Sequence, residues 1–258
     1  MTRRPMLRLV LGLLFALAAL PARAGTTLDR IHETGTIRIG LTGDYRPFSA
    51  YDARSGDFSG LDVDLARSLA RRLGAKAVFV KTSWPALGAD LQANRFDIVM
   101  GGVSVTPERA KLGLFSEPVL SDGKTPIARC EKAKKFRTLY EIDRKGVKVI
   151  VNPGGTNEKF VRAHLRNATI ILHKDNTTIF DEIVAGRADL MITDAIETRL
   201  QAKLHKELCA VHPEKPFDRS EKAYLMANDP ALKRAVNKWL AGAKRSGELA
   251  HEIGKWVE

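Results

Sequence analysis

The feature that most constrains the fold of this chain is an alternation of short β-branched runs and amphipathic helical segments, which occurs twice. TIRIGL (36–41) predicts a strand, and LDVDLARSLARRLG (61–74) carries leucines at helical spacing before a final glycine. The alternation restarts after a change near residues 121–126, and GVKVIV (146–151) predicts the next strand. Strands that alternate with helices predict an α/β fold with mostly parallel sheets, arranged as two units of similar size.

Capping residues mark where several helices begin and end. Thr106 and Pro107 in TPERAKLG predict a helix start, because Thr is a good N-cap and Pro suits the first turn. Asn176 and Gly186 in NTTIFDEIVAG predict the start and the end of another helix. The C-terminal section is predicted to be helical throughout.

The loops that follow the predicted strands are the expected ligand-binding region. Ligands of open α/β sheets bind beyond the carboxyl ends of the strands, in loops that lead into helices. We therefore expect a cleft between the two units. These loops hold most of the unusual polar and aromatic residues: GDYRPFS (43–49), TSWPAL (82–87), GGVSVTPER (101–109), PGGTNEK (153–159) and TDAIE (193–197).

The N-terminal segment has the organisation of a secretory signal. Basic residues precede an apolar stretch at residues 9–20, and small residues follow it. The apolar stretch is shorter than the roughly 20 residues that a membrane-spanning helix needs. We predict a signal peptide at residues 1–24 that is cleaved before Gly25, a periplasmic mature protein, and no stable membrane association after cleavage.

The charge of the chain bears on its partners. Cleavage would leave 258 − 24 = 234 residues with a net charge of 12 − 4 = +8, because the signal carries four arginines and no acidic residue. Such a balance suits an anionic ligand, and it also suits nucleic acid or an acidic lipid surface. Lys132, Lys134 and Lys135 lack the interleaved aromatic residues of a strand-binding groove, so they indicate a solvated helix face. We expect a small-molecule partner and no nucleic acid.

The cysteines and histidines predict no metal centre. Cys130 and Cys209 are the two cysteines of the chain, and export favours a disulfide between them. Two buried free thiols are the alternative, since the spacing alone does not decide. The six histidines lack the spacing of metal ligands, and the chain has no GxSxG motif. No metal and no cofactor are predicted.

Several phrases of the chain resemble a known family. GDYRPFS, GLDVDLARSLARRLG, FDIVMGGVSVTPERA and FSEPV are similar to phrases of the type II periplasmic solute-binding proteins for polar amino acids. SDGKTPI, IVNPGGTNEKF, IFDEIVAGRADLMITDAIETRLQ and ELCAVHP are similar to phrases of the periplasmic cyclohexadienyl dehydratases within that family. The resemblance runs from about Leu28 to the C-terminus.

The resemblance implies a fold and an activity. The fold would be a two-lobed α/β fold of type II with a hinge and an interlobe cleft, with lobe 1 at residues 25–123 plus 223–258 and lobe 2 at residues 124–222. The activity would be conversion of prephenate to phenylpyruvate and of L-arogenate to L-phenylalanine, by general-acid-assisted decarboxylative loss of water. The alternative is a non-catalytic solute-binding component of an amino-acid ABC transporter. Homo-oligomerisation is left open.

The resemblance also implies residues that bind the substrate. Arg109 would pair with a ligand carboxylate, because a guanidinium can donate two parallel hydrogen bonds to it. Asp194 matches a position that holds a ligand ammonium, and it could also cap the following helix. A solvated surface position for Arg109 and Lys124, and core packing for the aromatic residues, are the alternatives. The other expected contacts are Lys124 in the hinge phrase, Gly155, Thr156 and Asn157 in the Gly-Gly-Thr turn, Ser104, and Tyr45 and Trp84 as pocket walls.

Glu158 is the residue on which the choice between an enzyme and a binding protein depends. Loss of the ring hydroxyl needs a proton, and a carboxyl enclosed between lobes can keep its proton because burial disfavours the charged form. The alternative is an exposed glutamate in the first helical turn, where negative charge complements the helix dipole. We predict that Glu158 is the general acid, and Glu158→Gln tests this role.

Overall fold

Two five-stranded sheets organise the chain. The computed structural model describes residues 26–257, and the predicted signal peptide at residues 1–24 lies outside the described residues. Up to the first crossing between the sheets, the elements are α1 (Thr27–Thr34), β1 (Thr36–Leu41), β2 (Asp44–Tyr45), β3 (Ser49–Tyr51), β4 (Phe58–Ser59), α2 (Leu61–Arg72), β5 (Lys76–Lys81), α3 (Leu87–Gln92), β6 (Ile98–Val99), α4 (Pro107–Ala110), β7 (Leu114–Phe115) and β8 (Leu120–Asp122).

The remaining elements build the second sheet and then return to the first. In chain order they are β9 (Lys124–Arg129), α5 (Cys130–Ala133), α6 (Leu139–Ile142), β10 (Lys148–Val151), α7 (Thr156–His164), β11 (Thr169–Leu172), α8 (Ile179–Val184), β12 (Leu190–Asp194), α9 (Ala195–Leu204), β13 (Leu208–Ala210), β14 (Ser220–Lys222), β15 (Leu225–Met226), α10 (Pro230–Ser246) and α11 (Glu248–Val257).

In each sheet four of the five strands run in the same direction, and two of the four neighbouring pairs are parallel. The first sheet has the order β5-β1-β6-β15-β7, and the second has the order β11-β10-β12-β9-β13. In the first sheet β15 runs antiparallel to both of its neighbours, and in the second β9 does so. These two strands run against the others because the chain enters them from the other sheet, without the helical crossover that joins parallel neighbours.

The chain crosses between the two sheets through two paired strands. β8 leads into β9, β14 leads into β15, and residues 120–122 pair antiparallel with residues 220–222. We propose that this pair is the hinge, with a lobe 1 around the first sheet and a lobe 2 around the second. Lys222 is the last residue of β14 and lines the pocket described below, and Lys124 is the first residue of β9.

Each lobe buries its own apolar core. One buried cluster joins β1, α2 and α10 in lobe 1, and two others cover opposite faces of the second sheet in lobe 2. The terminal helices α10 and α11 contact α2, and α11 also contacts α9. Apart from Ile196 of α9, which belongs to the lobe 1 cluster, the cores are separate, so each lobe can keep its shape while polar surfaces between the lobes form a site.

Of two helix starts predicted from capping residues, the structure confirms one and contradicts the other. The Thr106 hydroxyl accepts a hydrogen bond from the backbone N–H of Arg109 (3.2 Å), as expected for the N-cap of α4. The prediction that Asn176 caps a helix is wrong, because α8 begins at Ile179 after Thr178. The Asn176 side chain is instead engaged in a contact with lobe 1, described below.

Lobe 2 contains a disulfide. Cys130 at the start of α5 and Cys209 in β13 are joined, with their Cα atoms 4.8 Å apart. The bond ties two neighbouring elements of the same lobe, so it leaves the hinge unconstrained. In the part of the chain that the structure describes, no helix has the length and apolar character needed to cross a membrane.

Candidate active site

A pocket lies between the two lobes, where loops at the carboxyl ends of the strands meet. Its cavity encloses about 20 Å³, the space of about one water molecule. A ring-sized ligand therefore enters only when the lobes move apart or when the side chains that fill the cleft rearrange. Residues of both lobes and of the hinge line it: Tyr45, Trp84, Gly102 and Ser104 from lobe 1, Lys222 from the hinge, and Asn152, Gly155, Thr156, Asn157, Asn176 and Asp194 from lobe 2.

Asp194 is the centre of the polar contacts in this pocket. Its carboxylate accepts hydrogen bonds from Lys124 Nζ (2.8 Å), from Lys222 Nζ (2.5 Å) and from the Tyr45 hydroxyl. Asp194 occupies the N-cap position of α9 without capping it through its side chain, and Asp122 accepts from the first N–H groups of that helix instead. The carboxylate of Asp194 therefore lines the pocket, and its hydrogen bond with Tyr45 connects lobe 2 to lobe 1.

The two lysines keep Asp194 ionised. Burial acts to raise the pKa of Asp194, but the charges of Lys124 and Lys222 outweigh it and hold that pKa below its ordinary value. Burial lowers the pKa of the Lys222 ammonium, and Asp194 opposes this shift. Lys222 also donates to Ser104 Oγ (2.7 Å). A charged pair this deeply buried keeps its ionised form only because each partner satisfies the other.

Lys124 connects Asp194 to the start of α7. Its Nζ donates to Thr156 Oγ1 (3.1 Å) and to Asn157 Oδ1 (2.5 Å). Gly154 allows α7 to approach lobe 1 closely, because it has φ +79° and a Cβ there would lie 2.7 Å from Pro85 Cγ. The predicted Gly-Gly-Thr turn is thus brought to the pocket, and the N-terminus of a helix is a favourable place for an anion.

Arg109 lies beside the pocket, at its mouth. It shares a neighbouring space with Trp84, Gly155 and Thr156, and its guanidinium lies 5.6 Å from the centre of the Trp84 ring. Arg109 Nη1 donates to the Ser104 backbone carbonyl (3.0 Å). Burial lowers the pKa of Arg109, although a guanidinium remains charged in proteins. The cation is therefore available to an anionic group that enters from this side.

Glu158 lies at the start of α7 and is paired with Arg162, and its role as general acid stays a prediction. Its carboxylate accepts hydrogen bonds from the Gly154 N–H (2.7 Å) and from Arg162 Nε (2.8 Å), it does not line the pocket, and its side chain is 18% exposed. These hydrogen bonds lower the pKa of Glu158, so it is ionised near neutral pH. Glu158 is thus partly buried, between the enclosed and the exposed position considered above, and its charge complements the first turn of α7.

A different carboxyl, Glu197 in the first turn of α9, is buried behind the pocket wall; it does not line the pocket itself, but hydrogen bonds connect it to the lining residue Asn157 through Thr193. It is 1% exposed and accepts a hydrogen bond from Thr193 Oγ1 (2.5 Å). Burial raises the pKa of Glu197 to about 8, so it carries a proton near neutral pH. Asn157 Nδ2 donates to the same Thr193 hydroxyl (3.0 Å), which links Glu197 to Lys124 through two side chains.

Sequence reasoning missed four residues of this region. Glu197 stands in TDAIE, three residues after Asp194, so the two lie on the same side of a helix. Its sequence position does not show that it is buried, and burial is what distinguishes it from a surface glutamate. Lys222 is 28 residues from its partner Asp194, so no local pattern links them. Asn152 and Asn176 line the pocket, and each has a buried amide oxygen without a hydrogen-bond partner among residues 26–257.

The arrangement defines the chemistry available. Lys124, Lys222 and Arg109 are cations around one carboxylate, Asp194, so the pocket suits an anionic ligand. Glu197 adds a neutral carboxyl that can donate a proton. Within the described residues, no group of three or more histidine, cysteine, aspartate or glutamate side chains is placed to hold a metal ion.

The chain is similar in sequence to known proteins. A family model described as bacterial extracellular solute-binding proteins, family 3, matches residues 37–258. A cyclohexadienyl dehydratase of Pseudomonas aeruginosa is 55% identical over 95% of this chain and 91% of its own length. The L-cystine-binding protein TcyJ of Escherichia coli is 29% identical over 89% of this chain and 85% of its own length.

Solved structures of related proteins resemble the chain in fold and in sequence. The ancestral amino acid-binding protein AncCDT-1, described as a precursor of cyclohexadienyl dehydratase, has a TM-score of 0.84 and 37% identity, and the match covers 90% of this chain and 100% of that one. An ancestral cyclohexadienyl dehydratase, AncCDT-3, has a TM-score of 0.57 and 51% identity over 91% of this chain and 97% of that one.

Proposed function

We propose a function on the premise that this chain belongs to the bacterial extracellular solute-binding proteins, family 3, and has their two-lobed type II fold. The function is that of a dehydratase, a carbon–oxygen lyase that converts prephenate to phenylpyruvate and L-arogenate to L-phenylalanine. The observation that carries the proposal is Glu197, a buried carboxyl that holds its proton beside a cationic pocket. Binding alone does not require a proton donor.

The charges of the pocket suit the substrate. Prephenate carries two carboxylates, and Lys124, Lys222 and Arg109 supply three cations from the hinge region and lobe 1. A substrate carboxylate can take over one of the lysine contacts that Asp194 holds. In L-arogenate an ammonium replaces the keto group, and Asp194 is the anionic group that can accept hydrogen bonds from it. The first N–H groups of α7 add a favourable position for a second anionic group.

The reaction needs one proton. The bond between the ring and its carboxylate breaks and releases carbon dioxide, and its electron pair moves into the ring. The bond between the ring and the hydroxyl then breaks, and the oxygen leaves as water after it receives a proton. The product ring becomes aromatic, so the overall driving force is large. A positioned acid typically contributes roughly 100- to 10,000-fold to such a step.

We assign the proton to Glu197. Thr193 donates to Glu197 Oε2, which leaves the other carboxyl oxygen to carry the proton. After the transfer, the charge of Lys124 stabilises the new carboxylate, since Lys124 already favours the ionised form of Glu197. Glu158 is bound to Arg162 in its ionised form, so it is the less suitable donor. Enclosure between the lobes holds the reacting groups in place and contributes through orientation.

We also propose that the enzyme acts in the periplasm. The family consists of extracellular proteins, and the N-terminal segment has the pattern of a signal peptide. The mature protein is then free of the membrane. N-terminal sequencing of the exported protein tests this proposal, and a first residue of Gly25 is the expected result.

The decisive experiment is a product assay. Purified protein that lacks residues 1–24 is incubated with prephenate, and the formation of phenylpyruvate is followed. The proposal predicts catalytic turnover without an added cofactor. If the protein instead binds amino acids tightly and forms no product from prephenate or L-arogenate, it is a solute receptor and the proposed function is wrong.

A further inference from the structure

Asn176 is a buried pocket residue whose amide has a defined orientation. It lies in the loop between β11 and α8, is 4% exposed, and lines the pocket. Its Nδ2 donates to the backbone carbonyl of Asp44 (2.8 Å), which belongs to the opposite lobe. A backbone carbonyl can only accept, so the nitrogen of the amide must face Asp44 and the oxygen must face the other way.

The oxygen of this amide has no partner. Among the described residues, none donates a hydrogen bond to Asn176 Oδ1, although the atom is shielded from solvent. Buried acceptors in folded proteins are almost always satisfied. Lys124 Nζ uses its three N–H groups on Thr156, Asn157 and Asp194, and Lys222 Nζ donates to Ser104 and Asp194 but not to Asn176. The missing donor is therefore a molecule in the pocket, either the water that the cavity has space for or a ligand that displaces it.

The chemistry of the amide oxygen limits what the donor can be. An amide oxygen repels a carboxylate and accepts only from N–H and O–H groups. Under the proposed function, the two carboxylates and the keto group of prephenate are acceptors, so its ring hydroxyl is its one donor. Asn176 and Glu197 also border a second space, so the two side chains are neighbours.

We infer that Asn176 determines specificity for the ring hydroxyl, by accepting a hydrogen bond from the leaving oxygen through Oδ1. This inference rests on the proposed function. When the hydroxyl donates to Asn176, its lone pairs remain available for the proton from the acid, and the C–O bond is held in one orientation. Asn176 thus contacts the leaving group, whereas the cations contact the carboxylates.

Two variants and two ligands test the inference. Asn176→Ala and Asn176→Leu both remove the amide, and Leu keeps a similar volume. For each variant, kcat/KM is measured with prephenate, and the inhibition constant is measured with phenylpyruvate, which lacks the ring hydroxyl. Loss of a hydrogen bond that only prephenate can make should lower kcat/KM at least about 10-fold, while the inhibition constant changes less than about 3-fold. Thermal unfolding identifies a variant that has lost its fold, and the other variant then decides.

The outcomes separate the inference from the proposed function. If kcat/KM and the affinity for phenylpyruvate fall by the same factor, Asn176 acts only through its contact with Asp44, and the inference is wrong. An unchanged kcat/KM also overturns it. If the wild-type protein forms no phenylpyruvate from prephenate at all, the proposed function fails and the inference falls with it.

Discussion

The replacement of Glu197 by Gln tests the proposed mechanism most directly. Gln has nearly the same size as Glu, and its amide oxygen can still accept the hydrogen bond from Thr193 Oγ1 (2.5 Å in the wild type). Because Glu197 is already uncharged near neutral pH, the substitution changes little in the field of the pocket. The change therefore removes the acidic proton and leaves the binding residues in place.

The expected effect is large on turnover and small on binding. Loss of a general acid should lower kcat about 100- to 10,000-fold, which corresponds to about 3 to 5 kcal/mol in activation free energy. KM for prephenate should stay within about 3-fold, because an interaction made only in the transition state affects kcat. The assay is the rate of phenylpyruvate formation over a range of prephenate concentrations.

The pH dependence supplies a second measure of the same group. Wild-type kcat should fall as the pH rises through about 8, because Glu197 then loses its proton. The unfolding free energy should also fall between about pH 4.5 and pH 8, since the folded state binds this proton more tightly than the unfolded state. The slope is up to about 1.4 kcal/mol per pH unit, and Glu197→Gln should remove it. Chemical denaturation at several pH values measures the slope.

Glu158→Gln is the matched control. It makes the same chemical change in the first turn of a neighbouring helix, where the carboxylate is paired with Arg162. We expect a stability loss of about 0.3 to 1 kcal/mol from the helix dipole and an unchanged kcat. A near wild-type kcat in Glu197→Gln refutes the assignment. A loss of 100-fold or more in Glu158→Gln alone would return the role to Glu158.

Three further predictions follow from single contacts. Lys222→Met removes one positive charge from the pocket and leaves Asp194 with one ammonium partner, so kcat/KM for prephenate should fall at least about 10-fold in steady-state assays. An unchanged value would show that Lys222 does not act in the site. Cys130→Ser breaks the disulfide with Cys209, and urea unfolding should show a loss of about 2 to 5 kcal/mol; a loss below about 1 kcal/mol would contradict a stabilising disulfide. Gly102 has φ +71°, and a Cβ there would lie 2.6 Å from two aromatic side chains of lobe 1. In Gly102→Ala the thermal unfolding midpoint should therefore fall and KM for prephenate should rise; no change in either would contradict the observed packing.

Local patterns in the sequence predicted the architecture. Alternating β-branched and helical runs predicted two α/β units, and Thr106 with Pro107 located the helix that carries Arg109. Such features depend on residues that are close in the chain, because periodicity and capping act within a few residues. The positions of Tyr45, Trp84, Thr156 and Asp194 at strand ends followed from the same rule for open sheets.

Only the tertiary structure distinguishes the environments of two similar glutamates. Glu158 and Glu197 both stand in first helical turns after strands, and no local pattern separates them. Packing leaves Glu158 ionised beside Arg162 and buries Glu197, which raises its pKa. The partnership of Lys222 with Asp194 and the orientation of the Asn176 amide arise in the same way. Desolvation and contacts between lobes depend on residues far apart in the chain, so only the folded structure determines them.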